Sequence, residues 1–261
     1  MIKILRCLIF ILPLITVAQP GTKAQDAIIE EYATNCAQNH SLYSHEWQEC
    51  LDAGLKKDST IAYLWQQKAM PLFKQRKYEL GMPFIDKAVQ YNRNEYQEYR
   101  AFIKCIFSKQ YKDAIADFAD CRSRYGNRYV MDHTYEFYIS LCCLQLNRFT
   151  EAEGLLKAYI SDMAKKGEEW VHATALFYYG IAVYEQKRYE EAIAIFDRGL
   201  KIYAEFSDIK YYKALCYFNL GNKDAAANWY RQAQADFKNG YTINEDNVAY
   251  ETYPYQIKWG K

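Results

Sequence analysis

The feature that most constrains this chain is its self-similarity at a fixed shift. The stretch from Ala173 to Phe206, ATALFYYGIAVYEQKRYEEAIAIFDRGLKIYAEF, superimposes on Ser207 to Gly240, SDIKYYKALCYFNLGNKDAAANWYRQAQADFKNG, when moved by 34 residues. Both read as helix, short turn, helix. Each first helix has a small residue at its middle, Gly180 and Ala214, and each second helix has one near its start, Ala192 and Ala226. A bulky residue follows four positions later, Phe196 and Tyr230, and then another small one, Gly199 and Ala233. Two antiparallel helices approach closely only where side chains are short, and the neighbouring bulky groups then fill the grooves between them. A unit of this kind cannot bury its own apolar face, so it must stack on copies of itself.

Three more copies lie upstream, starting near Ala62, Glu95 and His133. Their small residues are Gly81, Ala114 and Ala152, their bulky partners Ile85, Phe118 and Leu156, and an aromatic precedes the second helix at Tyr78, Tyr111, Phe149 and Tyr189. On these residues the span from Ala62 to Gly240 resembles the tetratricopeptide-repeat family, whose 34-residue unit has Gly or Ala at position 8, an aromatic at 17, Ala at 20, an aromatic at 24 and Ala at 27. The chain departs from that pattern in several places. No copy ends in the usual proline at position 32, position 4 holds Glu98 and Glu136 in two copies, and position 27 holds Tyr159 in one. Ser161 to Trp170 is an insertion that either lengthens a helix or forms a loop. The resemblance implies an all-α, right-handed superhelical α-solenoid of helical hairpins.

Outside residues 62–240 the pattern weakens. Residues 1–18 carry Lys3 and Arg6, then an apolar run from Cys7 to Val17, the layout of a secretory signal peptide with cleavage expected after Ala18. That run is too short to span a bilayer, so no permanent membrane span is expected and the protein should be exported, to the periplasm or beyond. Residues 25–61 read as a degenerate capping hairpin, since a terminal repeat needs one polar outer face. Residues 241–261 have no helical period and read as a non-helical tail lying along the solenoid. Losing Lys3 and Arg6 turns a formal net charge of +1 into about −1, which leaves no basic excess for a phosphate backbone. Nucleic acid is therefore not an expected partner.

In the family this chain resembles, positions 5, 9 and 12 of the first helices look into a concave groove. Here they carry Gln66, Tyr99, Phe137, Phe177 and Tyr211, then Met70, Ile103, Leu141, Ile181 and Leu215, then Phe73, Ile106, Leu144, Tyr184 and Phe218. All but Gln66 are apolar or aromatic, and a wall of that kind needs a cover. The family's best-known carboxylate clamp, Lys at position 5 with Asn at 9, is absent. Two readings remain: a groove for an apolar or aromatic-rich segment of another protein, or a groove filled by the tail through Tyr250, Tyr253, Tyr255, Ile257 and Trp259, or buried by tight winding. A protein or peptide partner is the leading expectation. A glycan or other small ligand stacking on the aromatic groove is the alternative, weakened by the shortage of polar groups at those positions.

Cysteines in an exported chain are candidates for disulfides. Cys36 and Cys50 fall on the two helices of the first hairpin, where a bridge would staple the cap; Cys105, Cys121 and Cys143 occupy packing positions. The Cys36 and Cys50 pair brackets His40 and His45, and Cys36 and His40 lie four apart on one helix face, which makes a metal site conceivable, yet the spacing matches no known zinc pattern, and neither a metal nor a cofactor is expected. Catalysis finds no support. The four histidines stand beside no evident nucleophile, the carboxylates of Glu168, Glu169, Glu190 and Glu191 sit in hairpin connections, and no glycine-rich loop follows a strand. Asp58-Ser59-Thr60 resembles a short bacterial O-glycosylation signal and equally supplies capping residues for the next helix. The resulting expectation is a non-catalytic protein-binding scaffold of the cell envelope.

Overall fold

The computed structural model of the chain describes residues 22–259. The expected leader, 1–18, lies outside them. Thr22 opens the first helix with a reciprocal capping box to Gln25. That helix, α1 (Lys23–Ile29), continues without a break into a π turn, Glu30–Thr34. A 3₁₀ turn (Ala37–Asn39) then leads to α2 (His45–Lys57), capped by Ser44. Five hairpins follow: α3 (Ala62–Lys74) with α4 (Tyr78–Tyr91), α5 (Arg93–Phe102) with α6 (Tyr111–Tyr125), α7 (Tyr135–Gln145) with α8 (Phe149–Ala164), α9 (Ala173–Glu185) with α10 (Tyr189–Ile202), and α11 (Ser207–Asn219) with α12 (Lys223–Lys238). Each helix packs on its hairpin mate and on the next hairpin, and α7 touches α9 as α9 touches α11, which sets first helices in an inner row. The chain is an all-α solenoid.

Short side chains do what the sequence pattern requires of them. Ala69, Ala88, Ala101, Ala114, Ala152, Ala192 and Ala233 are fully buried. At Gly180 a β-carbon would lie 2.2 Å from the Phe196 ring, so α9 and α10 sit closer than any larger residue there allows. One apolar core runs from Ala62 to Tyr253, and a smaller one around Trp47, Leu51 and Leu55 holds the first two helices.

Three local features depart from the sequence reading. No strand was expected, yet Tyr129–Val130 (β1) pairs antiparallel with His133–Thr134 (β2) between α6 and α7. Gly126, at φ 74°, ends α6, and Met131, at φ 49°, turns the chain between the strands. The insertion at 161–170 takes both forms considered: α8 runs on to Ala164, and a 3₁₀ turn (Glu168–Trp170) closes the rest. Asp58 does not cap α3; it folds its own turn by accepting from Thr60 N at 2.8 Å and Thr60 Oγ1 at 2.6 Å, and from Gln25 Nε2 at 2.9 Å.

Candidate interaction site

The inner row of helices does not face open solvent along its length. Beyond α12 the chain turns back and crosses the solenoid twice. The outward limb starts where Ser207 N donates to Tyr241 O (3.0 Å) at the start of α11 and passes His133 through Glu245. It reaches the α3–α4 turn, where Arg76 Nε donates to Tyr250 O (3.0 Å) and Lys74 lies 4.7 Å from the Tyr250 ring centre. There the chain reverses. On the way back, Tyr78 OH donates to the Glu251 carboxylate, Lys109 Nζ donates to Thr252 O (2.7 Å) and the buried Tyr178 OH donates to Pro254 O (3.1 Å). Tyr255 then meets Tyr212, and Trp259 ends among Tyr211, Tyr230 and Phe237.

Asp208 ties the two limbs together. Its Oδ2 accepts from Thr242 Oγ1 (2.7 Å) and Ile243 N (3.1 Å) on the outward limb, and its Oδ1 accepts from Ile257 N (2.8 Å) on the returning one. The residue is fully buried, and burial pushes its carboxyl above the ordinary range despite these donors. A second anchor is His133, also fully buried. Its Nε2 faces both Glu245 oxygens at 3.1 and 3.2 Å, and its Nδ1 faces Tyr159 OH at 3.0 Å. These contacts suit the tautomer with the proton on Nε2: imidazole donates to the carboxylate and accepts from the phenol. Burial alone would raise Glu245, but its hydrogen bonds, led by the one from His133, outweigh it and hold that carboxyl below its usual range.

The positions named from the repeat pattern divide accordingly. Phe73, Ile103, Phe137, Leu141, Phe177 and Ile181 are buried; Met70, Tyr99, Tyr184, Tyr211 and Leu215 are half-buried; Phe218 is exposed. The tail residues Ile243, Tyr253 and Ile257 are themselves buried. One part of the inner face stays open. At its N-terminal end a cavity of about 270 Å³ is lined by Gln66, Met70, Phe73, Tyr99, Ile103 and Met131, among others, with Asn247 of the tail at its edge. Cys36 and Cys50 are joined by a disulfide, with their Cα atoms 5.8 Å apart. Asp208, His133, Glu245 and Lys109 were not singled out from sequence as groups that hold the tail. Ser207-Asp208 reads as an ordinary helix start, and nothing local shows that Asp208 turns away from its own helix toward a segment 35 residues on.

Stacked helical hairpins with short residues at the crossings and an inner row of first helices define a helical-repeat solenoid. Residues 183–247, from the end of α9 into the tail, match the family model for the tetratricopeptide repeat. No curated protein matches its sequence. Among solved structures it is similar in fold to PilW, a widely conserved type IV pilus biogenesis factor, at 14% identity and TM-score 0.62, covering 84% of this chain and 96% of PilW. A tetratricopeptide repeat protein from Parabacteroides merdae is similar at 15% identity and TM-score 0.61, covering 87% and 96% of the two chains. YrrB, a TPR protein with an unusual peptide-binding site, is similar at 16% identity and TM-score 0.51, covering 72% and 93%. No helix among the described residues is long and apolar enough to cross a membrane.

Proposed function

We propose that this protein is a non-catalytic binding scaffold of the cell envelope, exported with residues 1–18 removed, and that it takes its protein partner at the open N-terminal end of its inner face. The observation that carries this reading is the division of the groove. The tail runs along the inner face from α11 to the α3–α4 turn, yet Met70, Tyr99, Ile103 and Met131 border a cavity beside it that it leaves unfilled. An apolar side chain on a partner segment would remove this surface from water, with aromatic and methionine walls adapting to its shape. The best-placed histidine for chemistry, His133, is committed to Glu245 and Tyr159. Burial pushes the thiol of Cys121 up to about 11 and those of Cys143 and Cys216 up to about 12, which leaves no thiolate nucleophile there at neutral pH.

A photo-crosslinking residue placed at Met131 in the native host tests the reading. One partner should be captured, and Met70→Glu should abolish capture while the helical content stays unchanged. Capture that survives Met70→Glu would move the site to the outer faces of the helices. The small-ligand alternative draws support from a different place, a cavity of about 460 Å³ where Tyr63, Tyr91 and Tyr96 stand beside Asp26, Asn92 and Glu95. Those polar groups could hold sugar hydroxyls next to aromatic rings. Specific retention on a glycan array, lost in Tyr91→Ala, would favour it over the scaffold.

A further inference from the structure

The tight turn at the start of the chain brings together three metal-ligating side chains, and only two of them are used by the disulfide. Cys36 begins the 3₁₀ turn Ala37–Asn39 and His40 ends it, closed by His40 N donating to Ala37 O (2.9 Å) and Asn39 Nδ2 donating to Asn35 O (2.7 Å). Both side chains thereby lie over Cys50 of α2. The two sulfurs and a ring nitrogen of His40 all fall within 4.8 Å of one another. The His40 ring is exposed and makes no hydrogen bond among the described residues.

We infer that, with the Cys36–Cys50 bridge reduced, Cys36, Cys50 and His40 form a three-ligand site for a thiophilic divalent cation such as zinc, with water in the fourth position. Two thiolates and an imidazole are a donor set that zinc favours over harder ions. In a tetrahedral site the sulfurs would stand about 3.8 Å apart, given zinc–sulfur distances of about 2.3 Å. The two sulfurs, bonded in the disulfide, move apart to that distance once the bridge is reduced, and the His40 nitrogen already lies within 4.8 Å of both. The chemistry balances. A thiol or phosphine reductant supplies the two electrons that break the S–S bond, each sulfur takes up a proton, and the cation displaces those two protons when it binds. The N-terminal hairpin thus has a cross-link in either redox state: covalent when oxidised, coordinate when reduced.

Cobalt(II) is the probe. The protein is reduced, freed of reductant without air and titrated with cobalt. The expected result is one equivalent bound, with thiolate-to-cobalt charge-transfer absorption in the near ultraviolet and the strong visible bands of tetrahedral cobalt, displaced by zinc. The oxidised protein should show neither. His40→Ala, at an exposed position that does not endanger folding, should weaken binding by about tenfold or more, and a Cys36→Ser, Cys50→Ser double variant should remove the charge-transfer band. Absence of these bands in the reduced wild type overturns the assignment. So does their persistence in both variants, which would place the metal on the buried cysteines instead.

Discussion

At the scale of single residues, the tail is held by a few buried polar groups whose partners lie far away in sequence. Asp208 accepts from two tail amides and one tail hydroxyl in a site closed to water. Removing the carboxylate leaves the amides of Ile243 and Ile257 buried and unpaired, at about 1–3 kcal/mol each. Asp208→Ala should therefore speed amide hydrogen exchange across residues 241–259 while the amides of α3 to α8 keep their protection. Glu245 predicts a dependence on pH. Its folded carboxyl lies below the ordinary 4.5, so the unfolded chain takes up the proton first as the solution is acidified. The stability it contributes is complete above 4.5 and is lost as pH falls through the lowered folded value. Asp208 works in the opposite sense, since its folded value is raised above 3.8 and its contribution disappears as pH rises. Comparing urea midpoints of the wild type and Glu245→Gln from neutral pH downward separates the two. The loss assigned to Glu245 should be present in the wild type and missing from the variant.

At the scale of the helix and the hairpin, the repeat is more regular than its sequence. Arg76, Lys109, Asn147, Lys187 and Gly221 all occupy the fifteenth position of their hairpins, and all five have positive φ, from 58° to 80°. In four of the five the next amide reaches back to a carbonyl five residues upstream, as Arg188 N does to Val183 O and Asn222 N to Tyr217 O; after Lys109, Gln110 N reaches back six, to Lys104 O. Only one of the five is glycine. Nothing crowds a side chain at Gly221, so Gly221→Ala should cost only the left-handed backbone strain, about 1 kcal/mol in chemical denaturation. Gly180→Val meets a harder obstacle, because the Phe196 ring is buried and cannot withdraw. It should cost at least about 1–3 kcal/mol, and thermal unfolding would register it. Helix identity was legible in the sequence because small and bulky residues recur at fixed separations and leave a 34-residue signature. The turn conformation was not, since Arg76, Lys109 and Lys187 carry no turn signal and are held there by the helices on either side. A similar regularity went unseen in the charges. Lys68 pairs with Asp52 and Lys213 with Asp197, each lysine stands over an aromatic ring (Phe84 or Trp229), and each partner lies 16 residues back, on the preceding helix.

At the scale of the whole molecule, the question the sequence left open was what covers the inner wall. The aromatic and aliphatic residues at the groove positions were readable as a surface needing a cover, but the tail has no period, and a path without periodicity leaves no pattern from which contacts can be inferred. Its route is fixed by hydrogen bonds between residues over 100 apart, such as Arg76 with Tyr250 and Lys109 with Thr252. A segment held this way is part of the core it covers. Deleting residues 241–261 should leave the hairpins α3 to α12 helical, because each is buried against its neighbours, while exposing Tyr178 and Asp208 to water. Two isoleucines and a tyrosine of the tail would lose their burial, and a loss of only 3 kcal/mol in a chain of this size lowers the melting temperature by roughly 6–12 °C. Circular dichroism should show retained helix with that earlier melt, and an environment-sensitive apolar dye should brighten on the shortened protein. A shortened protein that melts with the wild type and leaves the dye dark would mean that the inner wall is closed by the winding of the helices themselves, with the tail a passenger on its surface.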